Sequence, residues 1–110
     1  MDYRNETHDQ NIVVPLTGRL DVLACSELEG RLVAVIESGV KMLVLDVAAL
    51  EYISSAGLRV LIVAAKKVRA NGGDMAFASA GPNIMKILEI SGFTKMFKIV
   101  ASPNDALSAT

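Results

Sequence analysis

Two adjacent hydroxyls, Ser54 and Ser55, stand in the stretch Leu50-Glu51-Tyr52-Ile53-Ser54-Ser55-Ala56-Gly57-Leu58, between an apolar run and an amphipathic one. Such a position opens a helix. A helix N-terminus leaves backbone N–H groups unpaired and carries partial positive charge, so a phosphoryl group on either hydroxyl would be well placed there. A capping serine needs the same residue type at the same place. Spacing alone therefore leaves two readings open, a helix cap and a regulated serine.

Other chemistries lack their residues. The chain has no Gly-x-x-x-x-Gly-Lys loop, no Gly-x-Gly-x-x-Gly, no Cys-x-x-Cys and no His-Glu-x-x-His. A Gly-x-Ser-x-Gly elbow fails at Ser55 because position 53 is isoleucine. The single histidine, His8, lies in a polar N-terminal segment and reads as a solvated residue rather than a base. One histidine cannot build a multi-histidine metal site, and the lone Cys25 cannot form an intramolecular bridge. No enzyme activity, cofactor or metal is expected.

The elements that must position Ser54 and Ser55 come from a chain of 110 residues, 52% apolar and 21% charged, which is one domain's worth spanning 1–110. Its expected radius of gyration is about 13 Å, room for one core and not for a cleft between two lobes. A formal charge of −1 and a pI near 5.7 leave no basic excess for a phosphate backbone, so nucleic acid is not expected as a direct partner. The longest apolar run, Val60 to Ala65, is far short of the roughly 20 residues that span a bilayer, so no membrane insertion is expected. Met1 to Glu6 is polar and acidic, unlike a secretory signal. A cytoplasmic location follows as the expectation, with Asn5-Glu6-Thr7 an accidental glycosylation triplet.

Short β-type runs alternate with helical ones. Asn11 to Leu16 is a β-branched strand that ends at a Thr17-Gly18 turn, and the polar segment before it adds an edge strand. From Val22 to Ser38, Cys25, Leu28, Leu32 and Val35 or Ile36 recur at helical spacing, with a Ser26/Glu29 capping box or an earlier Asp21 cap at one end and Gly39 at the other. Met42 to Val47 is apolar on both faces, as the central strand of a covered sheet must be. A second helix runs from Ser55 to Arg69 or Ala70 and stops at Asn71-Gly72-Gly73, with Lys66, Lys67 and Arg69 in its last turn. Asp74 to Ala80 is a strand, Gly81-Pro82 opens a third helix closed by Gly92, Phe97 to Val100 is a last strand, and Ser102-Pro103-Asn104-Asp105 caps a brief helix before Thr110. The fold class is α/β: a mostly parallel or mixed central sheet of four to five strands with crossover helices.

Ile53-Ser54-Ser55-Ala56-Gly57-Leu58, preceded by Leu43-Val44-Leu45-Asp46 and Tyr52, resembles the signature of STAS domains, in particular bacterial anti-sigma factor antagonists. Leu16-Thr17-Gly18-Arg19-Leu20-Asp21 is similar to the family's Leu-Thr-Gly-x-Leu-Asp turn. Asn71-Gly72-Gly73, and Ile90-Ser91-Gly92-Phe93 with Phe97-Lys98-Ile99, stand where the family has like segments. The resemblance implies a switch protein. In such a family the unphosphorylated form binds an anti-sigma factor, often a serine kinase, and frees a sigma factor; the kinase phosphorylates a serine at the start of the second helix, and a metal-dependent serine phosphatase resets it. The acceptor follows an aspartate in the usual pattern, which carries over to Ser55, while Ser54 stands in the aspartate's place and removes a carboxylate beside the acceptor. A non-phosphorylated STAS subunit of a transporter or a stress-signalling scaffold is the other use the resemblance allows.

If Leu58, Leu61, Ala65 and Val68 face the sheet, then at 100° per residue Arg59, Val63, Lys66 and Lys67 point outward. That side is either ordinary surface or a partner-binding face for an acidic protein. Asp21 and Ser26 belong at the same end of the sheet, and Asp46 reads as a strand-end polar residue rather than an acid catalyst. The candidate partner-binding set is Asp21, Ser54, Ser55, Ala56, Gly57, Arg59, Val63 and Lys66.

Overall fold

The computed structural model describes residues 6–8 and 10–108. Asn5 of the glycosylation triplet and the terminal Thr110 lie outside the described residues. Among the described residues, strands β1 (Glu6–His8), β2 (Asn11–Leu20), β3 (Met42–Ile53), β4 (Asp74–Ala78) and β5 (Lys98–Val100) form one sheet in the order β1-β2-β3-β4-β5. The expected edge strand β1 runs antiparallel to β2, and every later pairing is parallel. Helices α1 (Val22–Glu37), α2 (Ser55–Ala70) and α3 (Pro82–Ile90) make the crossovers, the single turn α4 (Phe93–Met96) precedes β5, and α5 (Pro103–Ser108) follows it. The Cα radius of gyration is 12.5 Å.

Register explains how the sheet is covered. Ile12 and Val14 pair with Leu43 and Leu45, these with Met75 and Phe77, and Phe77 with Ile99, so all of them share one face. Strand order equal to chain order sends right-handed crossovers to a single side, and α1, α2 and α3 accordingly pack Leu28, Leu32, Leu61, Val68, Ile84 and Leu88 on that face. Phe77, Phe93 and Phe97 close its far edge with ring centroids 5.3–6.0 Å apart. On the opposite face Val13, Met42, Val44, Ala76 and Ala78 lie under Ala106 of the short α5.

Sequence expectations change at three strands: β4 ends at Ala78 and not Ala80, with Ser79 at φ 64°, and β2 and β3 both run longer than expected. Strand β2 does not stop at Thr17-Gly18 but continues to Leu20, with Gly18 taking φ 74° inside the strand. Strand β3 runs on past Val47 to Ile53, because Thr17 pairs with Ala49 and Arg19 with Tyr52, which places one extra β3 residue at each of two register shifts. The bulges break the two-residue alternation: Val47, Leu50 and Ile53 are buried at a spacing of three. A period-two reading ends the strand where that spacing begins. Helix α1 takes Asp21, not Ser26, as its cap, since the Asp21 carboxylate accepts from the Ala24 N–H at 3.0 Å while Ser26 and Glu29 sit exposed inside the helix.

Candidate functional site

The turn from β3 into α2 is held from below and from the side. Ile53 at the end of β3 is buried, and the Ser54 N–H donates to the Leu20 carbonyl at 3.0 Å, tying this turn to the end of β2. The Ser54 Oγ accepts from the Gly57 N–H at 3.1 Å, and the Leu58 N–H donates to the Ser54 carbonyl at 2.9 Å, so Ser54 is the N-cap. Gly57 is buried against Leu20: a Cβ there would meet Leu20 side-chain carbons at 2.9 Å and the Ile53 Cγ2 at 3.1 Å. Any larger residue there would have to push the Leu20 and Ile53 side chains aside, so glycine lets the first turn of α2 lie close to the two strand ends.

That division of labour separates the two hydroxyls. Ser54 is half-buried with its oxygen engaged in the cap, whereas Ser55, the first residue of α2, is exposed and its hydroxyl has no partner among the described residues. Arg59 is one turn further on, also exposed and also without an anionic partner among the described residues. A cation this near a helix N-terminus opposes the dipole, so its position is not explained by helix stability. Asp21 ends the neighbouring loop, exposed and capping α1. The structure thus brings Asp21, Ser54, Ser55, Ala56, Gly57 and Arg59 to the end of the sheet where the strands finish.

Val63 and Lys66 stand apart from that group. Lys66 is exposed lower on α2. Val63 does not point outward as the helical wheel suggested: it is half-buried and shares the seam between α1 and α2 with Val60, Ala64, Lys67, Glu29, Leu32 and Val33. The reason is the neighbour. The buried residues of α2 are Gly57, Leu61, Ala64, Ala65 and Val68, a stripe rotated toward α1 from the one assumed, with Leu58 only half-buried at its edge.

Two apolar residues at this end, and the contact that Tyr52 makes there, were not singled out by sequence reasoning. Val22 and Leu23, the first two residues of α1, are 69% and 88% exposed. The signal was available, since two large apolar residues directly follow the cap and lie off the Cys25, Leu28, Leu32, Val35 and Ile36 stripe. Tyr52 is partly exposed with the Arg19 guanidinium 4.6 Å from its ring centroid, a pairing that depends on the bulged register and is invisible in sequence. Cys25 is buried, as expected, while Asp46, expected at a strand end, lies inside β3 just before its first bulge, where its carboxylate accepts from the Ala48 N–H at 3.1 Å.

A cavity between β2 and α1, lined by Leu16, Leu20, Ala24, Leu28 and Leu50 among others, holds about 30 Å³, the space of a single water. No group of three or more His, Cys, Asp or Glu among the described residues is placed to hold a metal ion. No described helix is long and apolar enough to cross a membrane. What this end of the molecule offers is a surface with a modifiable hydroxyl.

The STAS domain family matches residues 2–106. BtrV of Bordetella bronchiseptica, whose name assigns it as an anti-sigma factor antagonist, is 35% identical over 101 residues, covering 92% of this chain and 87% of BtrV. The crystal structure of an anti-sigma factor antagonist from Mycobacterium paratuberculosis superposes with a TM-score of 0.87 at 29% identity, covering 98% of this chain and 92% of that one. Unphosphorylated SpoIIAA, an anti-sigma factor antagonist, shares the fold, with a TM-score of 0.86 at 18% identity and coverage of 98% and 95%. With two exposed helix starts joined by a strand-end hydrogen bond on a sheet of this order, the chain belongs to the STAS domain family.

Proposed function

We propose that this chain is an anti-sigma factor antagonist: unphosphorylated, it binds an anti-sigma factor that is itself a serine kinase and so releases a sigma factor, and phosphorylation of Ser55 ends the binding. The observation that carries the reading is the exposed, unpartnered Ser55 hydroxyl at the first position of α2, beside a Ser54 already committed to the cap. The names of BtrV and the Mycobacterium paratuberculosis protein support the class of partner. Ser55 is a substrate for another protein's kinase and, on return, for a serine phosphatase. The exchange takes place in the cytoplasm, where a kinase has ATP.

Phosphate adds about −1.5 to −2 of charge at one exposed point. The α2 N-terminus offsets part of this within the domain, by about 0.3 to 1 kcal/mol, so the fold survives the modification. A partner packed over Ser55 would instead have to bury a hydrated dianion where a hydroxyl had fitted, which is costly without matching cations. Binding is therefore lost while folding is kept.

Incubation with the purified anti-sigma factor kinase and ATP, followed by mass-spectrometric site mapping, tests the assignment. The expected result is one phosphate on Ser55, none on Ser54, and none on a Ser55→Ala chain. An unmodified chain that still binds a transporter subunit or a signalling scaffold would replace this reading with a non-phosphorylated STAS interaction subunit.

A further inference from the structure

We infer that Val22 and Leu23 are the apolar anchor of the partner-binding face, and that the anti-sigma factor carries a complementary apolar pocket for them; this rests on the reading of the chain as an anti-sigma factor antagonist. At 88% exposure Leu23 is the most open large apolar side chain among the described residues, and Val22 beside it is 69% exposed. Neither serves the core. The stripe that buries α1 is Cys25, Leu28, Leu32, Val35 and Ile36, and the Asp21 cap would hold with any residue at positions 22 and 23.

Their place ties them to Ser55. The Leu20 carbonyl that accepts from the Ser54 N–H is two residues before Val22, so the two helix starts are joined at their bases. Helical spacing puts Val22 at the head of the row Val22, Ser26, Glu29, Val33, and Ala56 at the head of the row Ala56, Val60, Val63, Lys67. The lower members of both rows, Glu29, Val33, Val60, Val63 and Lys67, line one seam. Val22 therefore heads a strip between α1 and α2 that carries Val33, Val60 and Val63 among Ser26, Glu29 and Lys67, while Leu23 stands next to it on the outer face of α1, at the same end of the domain as Ser55. The seam itself encloses only about 10 Å³, so it receives nothing; the partner supplies the pocket and this chain the knob.

Charge narrows the partner's chemistry. Asp21 and Arg59, one of each sign and both exposed, flank the head of the strip. The matching surface is an apolar pocket with a cation on one side and a carboxylate on the other, a protein surface rather than an anionic membrane. Placing the anchor beside Ser55 also accounts for the leverage of one phosphate, which would enter the desolvated centre of the contact and not its wet margin.

The test is titration calorimetry of the full chain against the source organism's purified anti-sigma factors, with Leu23→Ser, Val22→Ser and, as a control at the opposite end, Ile90→Ser, which replaces a residue 78% exposed. Thermal melts should be unchanged for all three. The expected result is a loss of affinity of at least about tenfold for Leu23→Ser, less for Val22→Ser, and none for Ile90→Ser. If wild type binds and Leu23→Ser binds as tightly, the anchor is refuted and the functional reading stands. If no anti-sigma factor binds wild type, the functional reading fails and the anchor with it. If Leu23→Ser instead abolishes self-association in size-exclusion chromatography, the pocket belongs to a second copy of the chain, which equally overturns the inference.

Discussion

Arg69, near the end of the sheet where the strands begin, donates to Asp74 at 3.1 Å and to the Met96 carbonyl at 2.6 Å and lies 4.8 Å from the Phe97 ring centroid, whereas Arg59, near the end where they finish, has no such partners. The same helix carries both. At its C-terminus the cation complements the dipole and closes over the Phe77, Phe93 and Phe97 cluster; at its N-terminus the cation opposes the dipole beside an open hydroxyl and two exposed apolar side chains. Arg69 is satisfied at one end, and the other leaves a cation and a hydroxyl without partners among the described residues beside exposed apolar surface. Ile90 and Met96 are exposed at the first end too, 78% and 45%, but without the start of a crossover helix beside them. The contrast separates an end where the α2 cation is bonded into the domain from an end where it is not, the end to which the proposed partner is assigned.

Substitutions at matched glycines should separate the two ends most strongly. A Cβ on Gly73 would lie 2.7 Å from the Lys41 carbonyl oxygen and 2.8 Å from that of Val40, backbone atoms that cannot rotate away. Gly73→Ala should cost about 3 kcal/mol in urea unfolding, with partner affinity of the folded chain unchanged. Gly57→Ala meets a side chain instead and should cost less, about 1 to 2 kcal/mol. It should nevertheless weaken partner binding, because Leu20 and Ile53 must move and they set how the two helix starts sit together. Equal binding by both variants would erase the distinction between the ends.

Smaller changes sharpen it. Ser54→Ala removes the cap to the Gly57 N–H and should lower stability by about 1 kcal/mol, while Ser54→Asp should keep the cap and the melting temperature. Comparing their phosphorylation rates by the same kinase shows whether a carboxylate beside Ser55 helps or hinders. Arg59→Ala should raise stability slightly, by about 0.3 kcal/mol, yet slow partner association at low salt, as read by stopped-flow fluorescence. A fall in stability would mean that Arg59 serves the fold after all.

How much of this was legible in sequence depended on period and neighbour. The α1 stripe, the central strand, the stop at Asn71-Gly72-Gly73 and the edge strand follow from local patterns, and the structure keeps them. The long tail of β3 was hidden because its bulges replace a period of two with a period of three at Val47, Leu50 and Ile53. Val63 was misplaced because the direction in which α2 turns its stripe is set by α1 and not by α2's own residues. Spacing found Ser54 and Ser55 together and the family resemblance singled out Ser55, but only the cap distance shows which oxygen is occupied. Val22 and Leu23 were readable as apolar residues off the stripe, yet sequence does not show that nothing covers them.

The most direct test of the switch uses the chain made with phosphoserine at position 55 and the unmodified chain, each titrated into the same purified anti-sigma factor, with circular dichroism melts of both. The account predicts that affinity falls by about a hundredfold or more, the effect of losing some 3 kcal/mol at a buried contact, while the melting temperatures agree within a few degrees. Equal affinity of the two forms, or a phosphorylated chain that no longer folds, would contradict it.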